Sequence, residues 1–73
     1  MTYTVIFEQG PTSWGACVPD LPGVISVGDT REDVERLIQA ALAFHLEGIR
    51  EEGLPVPSPS SIVGQVEVDT AAG

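Results

Sequence analysis

From Arg31 to Glu52 the chain carries no proline and a single glycine, Gly48. Prolines crowd both sides, at Pro19 and Pro22 before it and at Pro55, Pro57 and Pro59 after it. At 100° per residue, Val34, Leu37, Ile38, Ala41, Phe44, His45, Gly48 and Ile49 fall on one stripe. The spacing predicts one long amphipathic helix over 31–52. Thr30 is placed to cap it, and Glu32 and Asp33 lie in the first turn, where the helix dipole favours carboxylates. Asp33 stands where a capping box has a longer acid, so only part of that motif is present. Gly53 ends the helix and Pro55 prevents its continuation. Such a helix is about 30 Å long. In a chain of 73 residues it leaves room for one domain, built from short strands that must cover its apolar stripe.

The flanks supply those strands. Thr2 to Glu8 alternates, with Tyr3, Val5 and Phe7 on one side and Thr2, Thr4, Ile6 and Glu8 on the other. Gln9 to Ser13 provides turn residues, and Trp14 to Val18 forms a second strand in which Trp14, Ala16 and Val18 share a face. The stiff turn Pro19-Asp20-Leu21-Pro22-Gly23 leads into a third strand over 24–27, stopped by Gly28. A fourth is predicted over 62–68, after the proline-rich connection, and residues 70–73 read as a frayed tail. The expected fold is α+β, in the order β-β-β-α-β. The helix serves as a right-handed crossover that returns strand four parallel to strand one, in a mixed sheet of order 3-2-1-4 with the helix on one face. One sheet face and at least one edge then stay available for pairing.

Composition narrows the function classes. Eleven Asp and Glu stand against three Arg and no Lys, a net charge of −8. That balance repels phosphate backbones, which disfavours direct nucleic-acid binding, and it attracts a basic partner. The alternative is that acidity only keeps a small protein dispersed. Cys17 is the only cysteine, so no intrachain disulfide and no cysteine-based zinc site can form. No apolar run reaches the roughly 20 residues of a membrane span, which predicts a cytoplasmic protein. A chain this short buries only about 60% of its unfolded surface, so a homo-oligomer, a dimer or tetramer, is an attractive source of further burial. Leu42 and Leu46 widen the helix stripe on one flank. They serve either a broad core face or contact with a second subunit.

No catalytic set stands out, and no enzyme activity, cofactor or metal site is predicted. A two-metal nuclease needs converging carboxylates, one of them in the middle of strand one. Thr4-Val5-Ile6 occupies that place here, and Asp20 and Asp29 lie in turns where Asp is ordinary. His45 sits on the apolar stripe and reads as a core histidine bonded to a backbone group, or as a ligand or partner contact. Gly48 marks either a close helix contact or mild helix strain. Trp14 either closes the core beneath the helix or anchors an interface. Glu8, Trp14, Asp20 and Asp29 are the candidate partner-binding residues, and Leu42 and Leu46 the candidate oligomer contacts.

Several segments together resemble the HicB family of antitoxins. They are Tyr3-Thr4-Val5-Ile6, Trp14-Gly15-Ala16, Val18-Pro19-Asp20-Leu21-Pro22-Gly23, Gly28-Asp29-Thr30 and the stretch from His45 to Pro57. The resemblance covers almost the whole chain. It implies a partial RNase H-like fold and a type II antitoxin that occludes a HicA toxin, a small basic RNA-cleaving protein. Many members of that family also carry a C-terminal DNA-binding module. This sequence has no segment resembling one, so a single domain over 1–73 without autoregulatory DNA binding is expected. An orphan relative of such antitoxins, a degenerate RNase H-like metal-dependent nuclease, and a self-associating domain without a client are the alternatives.

Overall fold

The computed structural model describes residues 1–69. Three strands and one helix follow in chain order: β1 (Ile6–Gln9), β2 (Trp14–Cys17), β3 (Ile25–Gly28) and α1 (Arg31–Glu51). The strands form one antiparallel sheet of order β1-β2-β3, in which Phe7 pairs with Ala16 and Ala16 with Ser26. The α+β class holds. The four-stranded mixed sheet of order 3-2-1-4 does not, because 62–68 joins no ladder.

The reason lies where that strand would have to begin. Side chains of the first residues reach the returning chain in place of backbone pairs: the Tyr3 hydroxyl donates to the Pro57 carbonyl, and Thr4 Oγ1 to the Ser61 carbonyl at 3.1 Å. Regular pairing in β1 starts only at Ile6. α1 already covers the inner face of the sheet, so Ile62, Val63, Val66 and Val68 find no apolar surface there and stay exposed. Gly64 lowers strand preference further. Residues 70–73, expected to fray, lie outside the described residues.

Local chemistry fixes the helix ends. The Thr30 side chain accepts from the Asp33 amide at 3.1 Å. At the other end Gly53 takes φ 71°, its N–H reaches the Arg50 carbonyl at 3.0 Å, and the Leu54 N–H reaches the Ile49 carbonyl at 3.1 Å. This is a Schellman closure, and it satisfies two carbonyls the helix would otherwise leave open.

The β2–β3 loop consists of two consecutive turns. The Leu21 N–H donates to Val18, the Val24 N–H to Leu21, and the Val18 N–H to Val24, all through carbonyls at 3.1–3.2 Å. The second turn has Pro22 at its first central position and Gly23, at φ 94°, at its second, the type II pattern. Folding the loop this way turns Leu21 inward. It joins Ala16, Val18, Val24, Val34 and Ile38 in the buried core, with Tyr3, Val5, Phe7, Trp14, Ala41, Leu42 and Leu46 packed around them. α1 lies close over the sheet at Gly28, where a Cβ would come within 3.1 Å of Val34 Cγ2. At Gly48 a Cβ would meet nothing within 4 Å, so that glycine marks no close contact.

The sheet is too small for its helix. Strands of four residues run about 13 Å, whereas α1 has 21 residues and is about 30 Å long. Val34 and Ile38 are its only residues in the buried core, and Phe44 on the same stripe is 80% exposed. The radius of gyration is 15.2 Å, against about 11 Å for a compact chain of this length.

Candidate functional site

Alternation along the strands divides the sheet into two unlike faces. Phe7, Ala16 and Ser26 look toward α1, and Ser26 Oγ donates to the Val34 carbonyl at 3.2 Å. The Phe7 ring is covered by the Arg31 guanidinium, 4.2 Å from its centroid, which ties the first helical turn to β1. Ile6, Glu8, Gly15, Cys17, Ile25 and Val27 occupy the opposite face. Ile25 and Val27 are about two-thirds exposed there.

The predicted partner residues do not converge. Asp20 lies in the loop that joins β2 to β3 at one end of the sheet, and Asp29 follows β3 at the other. Glu8 is exposed on the outer face, while Trp14 is half-buried against the core on the helix side. Leu42 and Leu46 are half-buried and pack against the same core. His45 is half-buried but outside the core, beside Phe44, Gly48, Ile49 and Glu52. Its imidazole makes no hydrogen bond among the described residues, so the expected backbone partner is not found.

Asp20 is engaged within the chain. One carboxylate oxygen accepts the Ser60 and Ser61 backbone N–H groups at 3.0 and 3.1 Å, and the other accepts their hydroxyls at 3.0 and 2.7 Å. The Ser61 hydroxyl and then the two amides hold the carboxyl well below its ordinary 3.8, at about 2. Asp20 thus fastens the chain after the proline-rich connection to the β2–β3 loop. Sequence reading placed Asp20 in a turn but could not pair it with serines 40 residues away; the acceptor chemistry of Asp and the donor pair Ser60-Ser61 were its only local signals.

Charge is concentrated on α1 and its ends. All three arginines lie in this helix. Arg31 pairs with Glu35 at 3.7 Å, and Arg36 pairs with Asp33. Asp29, Glu32, Glu47, Glu51 and Glu52 have no ion-pair partner among the described residues. Leu37, Phe44 and Glu51, spaced by seven, form an outward ridge with Asp33 and Glu47 beside it. A shallow depression of about 360 Å³ lies at its start, lined by Gly28, Asp29, Asp33, Arg36 and Leu37. The ridge offers apolar anchors within an acidic rim. Among the described residues no three His, Cys, Asp or Glu side chains converge as a metal-binding group, and no helix is long and apolar enough to cross a membrane.

Residues 3–71 match the family described as the HicB-like antitoxin of bacterial toxin-antitoxin systems. The chain belongs to this family. It is 36% identical over 61 residues to antitoxin HicB 2 of Photorhabdus laumondii subsp. laumondii, a match covering 84% of this chain and 44% of that protein. It is 32% identical over 62 residues to a 14.9 kDa protein from the rep-hol intergenic region of Haemophilus phage HP1, covering 85% of this chain and 47% of the other. The HicB-like chain therefore spans less than half the length of the curated relatives it matches. No solved structure matches it.

Proposed function

We propose that this HicB-like domain acts as an antitoxin, in the cytoplasm, by binding and masking a small basic RNA-cleaving toxin of the HicA kind. Family membership over residues 3–71 is the observation that carries the reading, and the net charge of −8 supports the choice of a basic partner. The role is steric and electrostatic and needs no catalysis. Phe44 and Leu37 on the outward ridge of α1 would enter an apolar groove of the toxin, while Asp29, Glu32, Glu47 and Glu51 meet its cationic rim. The surface that a basic nuclease presents to an RNA backbone is the surface this rim complements. The same surplus of negative charge keeps the domain itself off nucleic acid.

Of the four candidate contacts, Asp29 belongs to this rim, and Trp14 lies near it across the β2–β3 register with Gly28. Glu8 contributes from the outer face only to the overall field. Asp20 acts indirectly, by holding Ser60 and Ser61.

The test is co-expression with the short basic protein encoded by the adjacent reading frame. Relief of its growth arrest, and a purified complex that weakens as salt rises, is the expected result. A neighbouring basic nuclease that remains toxic and unbound overturns the reading.

A further inference from the structure

Nothing inside the chain requires a glycine at Gly48. Its backbone is ordinary helix, without the positive φ of Gly23 and Gly53, and its carbonyl accepts the Glu52 N–H at 3.1 Å. A Cβ there would meet nothing within 4 Å. Glycine weakens a helix interior relative to alanine, so the chain loses stability at this position without gaining a contact of its own. Where a side chain would stand, a depression of about 250 Å³ opens, lined by Phe44, His45, Gly48, Ile49 and Glu52.

The lining matches a contact that the chain already makes at the other end of α1. There the Arg31 guanidinium covers the Phe7 ring, 4.2 Å from its centroid, and pairs with Glu35 at 3.7 Å. One aromatic face and one carboxylate hold one arginine. The notch at Gly48 offers the same two groups, a Phe44 that is 80% exposed and an exposed Glu52. Side chains on a helix lean toward its N-terminus, so Glu52 leans over Gly48. The C-terminal end of α1 adds a negative potential of its own.

This chain does not supply the cation. It has no lysine. Arg31 and Arg36 are engaged near the start of α1, and Arg50 lines a separate depression with Ala43, Leu46 and Glu47. A second copy brings the same arginines and a further −8. We infer that the Gly48 notch receives an arginine side chain from a different, basic protein. Its methylene stem lies over Gly48, and its guanidinium lies between the Phe44 ring and the Glu52 carboxylate. The inference rests on the reading of a basic protein partner, and adds the partner side chain and the residue that admits it.

The purified chain should be titrated with nonaarginine and with nonalysine, and followed by proton NMR. Nonaarginine should shift the Phe44 ring protons and the Gly48 amide. Gly48→Met should raise the urea midpoint, since methionine is a good helix former, and yet weaken nonaarginine binding about fivefold, the loss of one cation–π contact. Gly48→Ala should show the same two signs at smaller size. Phe44→Leu, which keeps apolar bulk without the ring, should weaken nonaarginine about as much as Gly48→Met and leave nonalysine less affected. Equal nonaarginine binding by wild type and Gly48→Met overturns the inference, as do shifts confined to residues away from the notch. A lower urea midpoint in Gly48→Ala also overturns it, because the glycine would then serve the fold. The co-expressed basic protein keeps the two readings apart: if it binds wild type and Gly48→Met alike, the notch fails and the antitoxin reading stands, and if it binds neither, the antitoxin reading fails while the peptides still decide the notch.

Discussion

On the outer face of the sheet, Ile25 and Val27 stand exposed among Ile6, Gly15 and Cys17, with Glu8 as the one charge. On α1, Phe44 is more exposed still, but the ridge it shares with Leu37 is flanked by Asp33 and Glu47 and ends in Glu51. Apolar exposure is therefore common to both regions and cannot tell them apart. Their charge surroundings can. An apolar patch within an acidic rim favours a cationic protein, and one almost without charge gives such a partner little to pair with.

A single small core holds both surfaces in place. Ile38 is the largest fully buried side chain and lies between the sheet and α1. Ile38→Ala removes it from a site with little else to fill the space, and should cost about 2–5 kcal/mol. In a domain this small that is most of the available stability. Urea unfolding followed by circular dichroism should show the loss, and binding of the basic partner should fail with it. Self-association would make the midpoint rise with protein concentration. An Ile38→Ala protein that no longer binds that partner yet unfolds like the wild type would mean that Ile38 lies in an interface instead.

Phe44→Asp strikes one of the two regions alone. Phe44 is 80% exposed and supports no core contact, so the fold should survive. Affinity for the basic partner should drop about 30-fold, the effect of losing an interface anchor. Salt sharpens the distinction. Screening should weaken the complex between a chain that carries −8 and a basic partner. Titration calorimetry at low and high ionic strength checks the sign. A complex indifferent to salt would mean that charge does not sort the surfaces.

Legibility in the sequence followed the range of the causes. The ends of α1 were readable from Thr30, Gly53 and Pro55, because caps are built from neighbouring residues. The inward side of the strands was readable from the alternation of Tyr3, Val5 and Phe7 and of Trp14, Ala16 and Val18. Periodicity put Phe44 on the core stripe and could not show that four-residue strands end beneath the first half of the helix. The apolar alternation near Val66 also reads as a strand. Whether it pairs depends on a distant edge that Tyr3 and Thr4 engage through their side chains. Sequence could read Asp29 only as an acid in a turn and a candidate contact, whereas the ridge of Leu37 and Phe44 required knowing what the sheet leaves uncovered.

Asp20 lies outside both regions, and its effect is the most local. Its folded carboxyl lies at about 2 against an ordinary 3.8, so the charged form is favoured by folding. The stabilisation is fully present above about pH 4, and is lost as pH falls from there through 2. Over that window the bonds from the Ser60 and Ser61 amides and hydroxyls should weaken, as the carboxyl loses its charge and one acceptor oxygen, while α1 and the β2–β3 turns stay intact. Carbon-13 NMR of the Asp20 carboxyl should give the lowered titration, and the proton shifts of the two serine amides should follow it. Asp20→Asn should loosen this clasp already at neutral pH, because the neutral side chain offers one acceptor oxygen, enough for the two amides or the two hydroxyls, where the carboxylate uses two. The acidic ridge should still bind its basic partner, because Asp20 lies at the far end of the sheet from Asp29. Loss of that binding in Asp20→Asn, with the core still folded, would show that the ridge is coupled to the loop and is not independent of it.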